Sequence, residues 1–182
     1  MEEVVRSLHS ALKLLNINYV IVGGIPASIW GKPRTTLDVD IVIVIPGEKI
    51  GLLLNELSNR GFRVKPTAFQ KLSQFKVIKF PYSALFSVDI RIAKYEIDSQ
   101  AISRAKEIKL FDIDMKIASR EDTIVYKLVR FNNQDKADIE NILLRNKKKL
   151  NVEYIAKSTQ GLAKETKYSK ILDNLSEFLS WT

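Results

Sequence analysis

Two largely apolar runs, Tyr19–Val22 and Asp38–Ile45, lie close together in this chain, and what separates them limits the fold more than any other feature. The first run stops at Gly23-Gly24. A short segment holding Pro26 and Ala27 follows and ends at Gly31, then comes a basic loop with Lys32 and Arg34, and the second run opens with Asp38 and Asp40. Short runs this rich in Val and Ile predict strands. Pro26 suits the first turn of a helix, where its missing N–H costs little, and Gly31 suits the end of one. The stretch therefore reads as strand, glycine turn, short helix, loop, strand. Side chains two apart on a strand share a face, so Asp38 and Asp40 stand side by side where an apolar strand begins. Neighbouring carboxylates repel each other and resist burial, and a divalent cation between them is the usual resolution.

Taken together, Gly23-Gly24-x-x-Ala27, Gly31, Arg34, Thr36 and Asp38-x-Asp40 resemble the signature of the DNA polymerase β-like nucleotidyltransferase superfamily. The narrower likeness is to its small prokaryotic branch of minimal, resistance-type and toxin–antitoxin nucleotidyltransferases. This resemblance implies an α/β (α+β) nucleotidyltransferase fold, with a mixed central sheet flanked by helices and a helical C-terminal region. It also implies a third metal-holding carboxylate from a later strand, which here is Asp89 in the apolar run Leu85–Ile92. Asp38, Asp40 and Asp89 are accordingly the expected catalytic and metal residues, holding two Mg2+ ions, with Mn2+ as a substitute. Gly23, Gly24, Lys32, Arg34 and Thr36 are the expected nucleotide-binding residues. Gly24 stands where many members have serine, so the hydroxyl often offered to the phosphates is missing here. A P-loop is excluded by spacing, because six residues separate Gly24 from Gly31 where four are needed and Pro33 replaces the hydroxyl residue.

Residues 119–144 resemble a trailer segment found in the same branches, matched by Glu121, Asp122, Lys127, Asp135 and Asp138. The likeness implies that Lys127 reaches the nucleotide phosphates; an exposed helix lysine is the other reading of the same residue. A second Asp-x-Asp, Asp112 and Asp114, sits in a turn-like context without a glycine-rich partner and is read as a turn. Arg91, on the same strand face as Asp89, is either its counter-charge or a phosphate contact.

Composition narrows the function classes. There is no cysteine, which excludes disulfides and thiolate zinc sites, and the single histidine, His9, lies on a helical pattern, so no Ser-His-Asp chemistry is proposed. No apolar stretch reaches the roughly 18 residues of a membrane span, and Met1-Glu2-Glu3 is acidic where a signal peptide is basic. No membrane association and a cytoplasmic location are the expectations. The formal net charge is +8. Its sharpest concentration is residues 57–88, where Arg60, Arg63, Lys65, Lys71, Lys76 and Lys79 occur without any acid and are interleaved with Phe62, Phe69, Phe75, Phe80, Tyr82 and Phe86. Such a block attracts a polyanion and offers rings for base stacking, although most of the aromatics are expected in the core.

Along the chain, Val4, Val5, Leu8, Ala11, Leu12 and Leu15 make a helical stripe over residues 2–15. A helix over Ile50–Leu57 is stopped at Gly61, and strands are expected at Phe62–Lys65, Gln74–Phe80 and Leu85–Ile92. A short helix over Asp98–Ala105 and a hairpin from Ile108 to Ala118 follow. From Ser119 the pattern is helical, with Ser119 and Asp122 spaced as a capping box and Arg145–Lys149 as a basic helix end. The expected division is a nucleotidyltransferase catalytic core over residues 1–118 and a helical region over 119–182 packed on it.

The expected function is metal-dependent transfer of a nucleoside monophosphate from an NTP to a hydroxyl of RNA, a tRNA end among the candidates, or of a protein, with a toxin–antitoxin system as one setting. The basic block favours RNA over an aminoglycoside, for which an acidic pocket is expected. The alternative is a non-catalytic nucleic-acid- or partner-binding module, an antitoxin, that retains the fold.

Overall fold

The computed structural model describes residues 1–146 and 149–182. Its strands are β1 (Asn18–Val22), β2 (Asp38–Val44), β3 (Ile78–Pro81), β4 (Ser87–Ile92), β5 (Lys106–Leu110) and β6 (Ile113–Ile117). They form one six-stranded sheet in the order β3-β4-β2-β1-β6-β5. β2 pairs antiparallel with β1 and parallel with β4, so the mixed sheet has its most apolar strand near the middle. Of the residues paired on both sides, Asp40 to Ile43, the three apolar ones are fully buried, as a central strand covered on both faces requires, and Asp40 is partly buried.

Alternation sorts the two faces. Ile21, Ile41, Ile43 and Ile90 point into the larger core, where α1 (Glu2–Leu14), α3 (Ile50–Asn59) and α4 (Ala68–Ser73) bring Leu8, Leu12, Leu53, Leu57 and Leu72. Each such fully buried side chain contributes about 1.5–3 kcal/mol. Val20 and Val42 point the other way and meet Ala101 of α5 (Glu96–Ser103). Beyond them lies a helical core of Ile124, Leu128, Ile139, Ile142, Ile155 and Phe178. It is built by α6 (Arg120–Arg130), α7 (Asn133–Asn146), α8 (Val152–Thr166) and α9 (Lys170–Leu179). Ser119 caps α6 by accepting from the Asp122 N–H at 3.1 Å. The short α2 (Gly24–Trp30) follows the glycine turn.

Several sequence expectations shift. Phe62–Lys65 is not a strand: Phe62 is buried under the sheet edge, and Arg63 N–H reaches only the carbonyl of Pro81, at 2.8 Å. The expected Gln74–Phe80 strand shortens to Ile78–Pro81, because residues 74–76 are the exit turn of α4: the N–H groups of Gln74, Phe75 and Lys76 donate back to the carbonyls of Gln70, Leu72 and Lys71, and Phe75 sits at positive φ. The hairpin turn falls on Phe111 and Asp112, both at positive φ, and Asp114 pairs with Lys109 across it. The helix expected over Asp98–Ala105 begins earlier, at Glu96. Of the basic run Arg145–Lys149, Lys147 and Lys148 lie outside the described residues. Among the described residues no helix is long and apolar enough to cross a membrane.

Candidate active site

The parallel pairing of β2 with β4 sets Asp38 opposite Ser87, Asp40 opposite Asp89 and Val42 opposite Arg91. On the other side of β4, antiparallel β3 sets Lys79 opposite Asp89. Partners across a ladder share a face, so these polar side chains are gathered on one patch of the sheet, on the side of the helical core. At the end of β1, Gly23 takes φ 73° and ψ −130°. A Cβ there would come within 2.1 Å of Asp40 Oδ2, so the glycine is what lets the backbone pass beside this carboxylate.

The loop before β2 folds back over the start of α2. A Cβ on Gly24 would lie 3.0 Å from Thr36 Oγ1 and 3.2 Å from an Arg34 nitrogen. Thr36 Oγ1 donates to the carbonyl of Asp38 at 3.1 Å, which fixes the loop against the strand. Arg34 forks onto Asp138 of α7, at 2.9 and 3.0 Å. Lys127 of α6 lies between the same helices, 2.6 Å from Asp138 and 3.0 Å from Asp135, and is only 6% exposed. It is neither a solvated lysine nor an uncommitted cation. Arg130, by contrast, is 77% exposed and only 3.6 Å from Asp135.

These elements enclose a cleft of about 340 Å³. Gly23, Gly24, Arg34, Thr36, Asp38 and Asp40 form one wall, and Arg91, Tyr126, Lys127 and Arg130 contribute to the other. Lys32 is exposed and does not line it. Asp89 is not in the lining either but adjoins it through its register with Asp40. A larger hollow of about 490 Å³ between α5 and α8 holds none of the expected residues.

The electrostatics follow from burial and crowding. Burial raises the carboxyl of Asp40 above the ordinary range, with further raising by the charges of Asp89 and Asp38 and partial relief from the Gly24 amide and Arg130. Burial also raises Asp89, opposed by Lys79. Asp38 is held below its usual value: burial pulls it up, and hydrogen bonds from Ser87 and Lys79 outweigh that. Arg91 is spoken for, since it forks onto the buried Asp98 at 2.5 and 2.6 Å, and Tyr126 donates to the same carboxylate at 2.9 Å. It is therefore the counter-charge of Asp98 and not of Asp89.

Among the described residues no three His, Asp or Glu side chains already stand as a cage for an ion. What stands against the carboxylates is Lys79, whose Nζ lies 2.9 Å from Asp38 Oδ1, 3.1 Å from Ser87 Oγ and 3.3 Å from Asp89 Oδ1. The Asp89 contact is an ion-pair distance without hydrogen-bond alignment, which leaves Oδ1 buried and without a donor. Carboxylate oxygens on rigid strands, one of them orphaned, suit a hard divalent cation. Sequence reasoning put Lys79 only on an exposed edge and passed over Asp98, Tyr126 and Arg130. The pairing of Lys79 with Asp89 had a signal: both lie five residues from the centre of the Pro81–Ser87 turn.

A family model described as "Nucleotidyltransferase of unknown function (DUF6036)" matches residues 2–179. Among solved structures, an antigenic nucleotidyltransferase-like protein from Paracoccidioides brasiliensis aligns with a TM-score of 0.54 and 19% identity, covering 96% of this chain and 92% of the other. A lincosamide antibiotic adenylyltransferase, LnuA, solved with lincomycin bound, aligns with a TM-score of 0.50 and 14% identity over 77% of this chain and 94% of its own. At these identities the likeness is one of fold. No curated protein matches the chain in sequence.

Proposed function

This chain belongs to the DUF6036 nucleotidyltransferase family, and from that premise we propose that it transfers a nucleoside monophosphate from an NTP to a hydroxyl of RNA at the cleft beside Asp38, Asp40 and Asp89. The observation that carries the reading is the register placing Asp40 next to Asp89 and two residues from Asp38, beside a turn where only glycine fits. Divalent ions held by these carboxylates, Mg2+ or Mn2+, would neutralise the triphosphate and lower the pKa of the acceptor hydroxyl. Gly23 and Gly24, which line the cleft beside Thr36 and Arg34, would seat the phosphates. Arg130, which keeps most of its surface in solvent, would supply positive charge to the triphosphate.

The acceptor oxygen would bond to the α-phosphorus as the bond to the bridging oxygen breaks and pyrophosphate leaves. The hydroxyl proton would pass to a carboxylate, Asp89 or Asp40, since burial raises the proton affinity of both. The proposed division of labour gives residues 1–118 the carboxylates and residues 119–182 the wall with Lys127 and Arg130. RNA is favoured as acceptor by the exposed edge near Lys79, where Arg63, Lys65, Lys71 and Lys76 stand in solvent with Phe69 and Phe75 about half exposed. Bases on a phosphate-binding edge with open rings suit single-stranded nucleic acid. A protein hydroxyl, as in a toxin–antitoxin pair, is the second acceptor to be tried.

The test is incubation with each α-labelled NTP, Mg2+ and total cellular RNA or protein, beside Asp40→Ala. Label on RNA that disappears in a folded Asp40→Ala protein is the expected result; turnover retained in that variant would sink the assignment.

A further inference from the structure

Lys79 reaches from the sheet edge across β4 to β2. It stands opposite Asp89 on the short edge strand β3, and its ammonium lies among three oxygens, Asp38 Oδ1, Ser87 Oγ and Asp89 Oδ1. Asp38 Oδ1 also accepts from Ser87 Oγ. Two of these three atoms belong to carboxylates assigned above to metal. Without a cation, Asp38, Asp40 and Asp89 would repel one another across adjacent strands. The ammonium offsets that repulsion, yet it does so incompletely, since Asp89 Oδ1 keeps no aligned donor. Lys79 is also 52% exposed, and β3 has a neighbour on one side only. The side chain is therefore free to withdraw along the edge without disturbing the core.

An ammonium and a divalent cation placed against the same oxygens repel each other, so each weakens the other's hold. We propose that Lys79 is a displaceable internal counter-ion that occupies Asp38 and Asp89 in the metal-free protein and competes with the divalent cation for them. The inference rests on the carboxylates being the metal site and adds that this site carries its own competitor. The enzyme thereby holds metal weakly until Lys79 leaves.

The test is Mn2+ binding without nucleotide, followed by electron paramagnetic resonance and by the rise in melting temperature on adding Mn2+. Wild type is compared with Lys79→Met, Lys79→Gln and Lys79→Arg, so that one poorly folding variant does not decide the matter. Removing the charge is expected to tighten Mn2+ binding by about three- to tenfold, the scale of losing half-exposed ion pairs. Lys79→Arg should stay near wild type. Asp40→Asn added to Lys79→Met should abolish the tightened binding, tying the ion to this site. Equal or weaker binding in Lys79→Met and Lys79→Gln, with wild type still binding, would overturn the competition while leaving the metal site standing. No Mn2+ binding in any of them would overturn both.

Discussion

At Gly23 the backbone takes φ 73° and ψ −130°, a region nearly closed to L-residues that costs them on the order of 1–3 kcal/mol, and any Cβ there runs into Asp40. Gly23→Ala should therefore lower the melting temperature and, by pushing the Asp40 carboxylate aside, abolish transfer; a thermal melt and the label-transfer assay check both. Asp98 carries a different expectation. Burial raises its carboxyl, but the Arg91 fork and the amides of Lys94 and Tyr95 outweigh this and hold it below the ordinary range. A carboxyl depressed by folding adds stability above its unfolded value, about pH 3.9, and loses it as pH falls through the lower folded value. Asp98→Asn should cost about 3–5 kcal/mol at neutral pH by leaving Arg91 without its partner. That cost should shrink as denaturation is measured at pH values falling below about 4. A gap that stays constant with pH would show the charge to be irrelevant.

Among the elements, α6 and α7 are joined by a buried ionic clamp. Lys127 sits between Asp135 and Asp138, and Arg34 brings the loop before β2 onto the same aspartate. Lys127→Met leaves two aspartates facing each other with little solvent, and should destabilise the protein by about 3–5 kcal/mol. Urea denaturation measures it. An unchanged midpoint with a raised KM for NTP would instead mark Lys127 as a phosphate ligand and nothing more. The helix boundaries here were legible because Ser119 and Asp122 form a local capping contact. The burial of Lys127 was not, because residues on two helices and a distant loop create it. The same contrast explains α4, which lies between the strands expected at Phe62–Lys65 and Gln74–Phe80 and was not read from the sequence: Ala68 and Leu72 are its only buried residues, too short a pattern to show a helical period.

For the molecule as a whole, charge is the property that reaches furthest. The net +8 is concentrated in residues 57–88, on the edge of the sheet that holds Lys79. If this edge binds single-stranded RNA, log affinity should fall with log salt by about 0.7 per phosphate neutralised. Lys71→Gln with Lys76→Gln should make the slope shallower by about 1.4. Fluorescence anisotropy at several salt concentrations reads this, and an affinity indifferent to salt would remove the polyanion from the argument.

The features decided locally were open to the sequence. A glycine pair between apolar runs, side chains alternating along β2 and β4, and a capped α6 each depend on neighbours within a few residues, so Asp38, Asp40 and Asp89 could be placed on strands in advance. Family likeness was legible for the same reason, since its motif is short and contiguous. Tertiary structure alone decided which strands lie together and which charges are satisfied. The parallel pairing of β2 with β4 joins residues 49 apart, Asp40 to Asp89, and Arg34 finds Asp138 104 residues away. Contacts at such separations depend on how helices and sheet bury their apolar faces. That packing turns three separate acids into one crowded patch, gives it Lys79 as a counter-ion, and commits Lys127 to the fold.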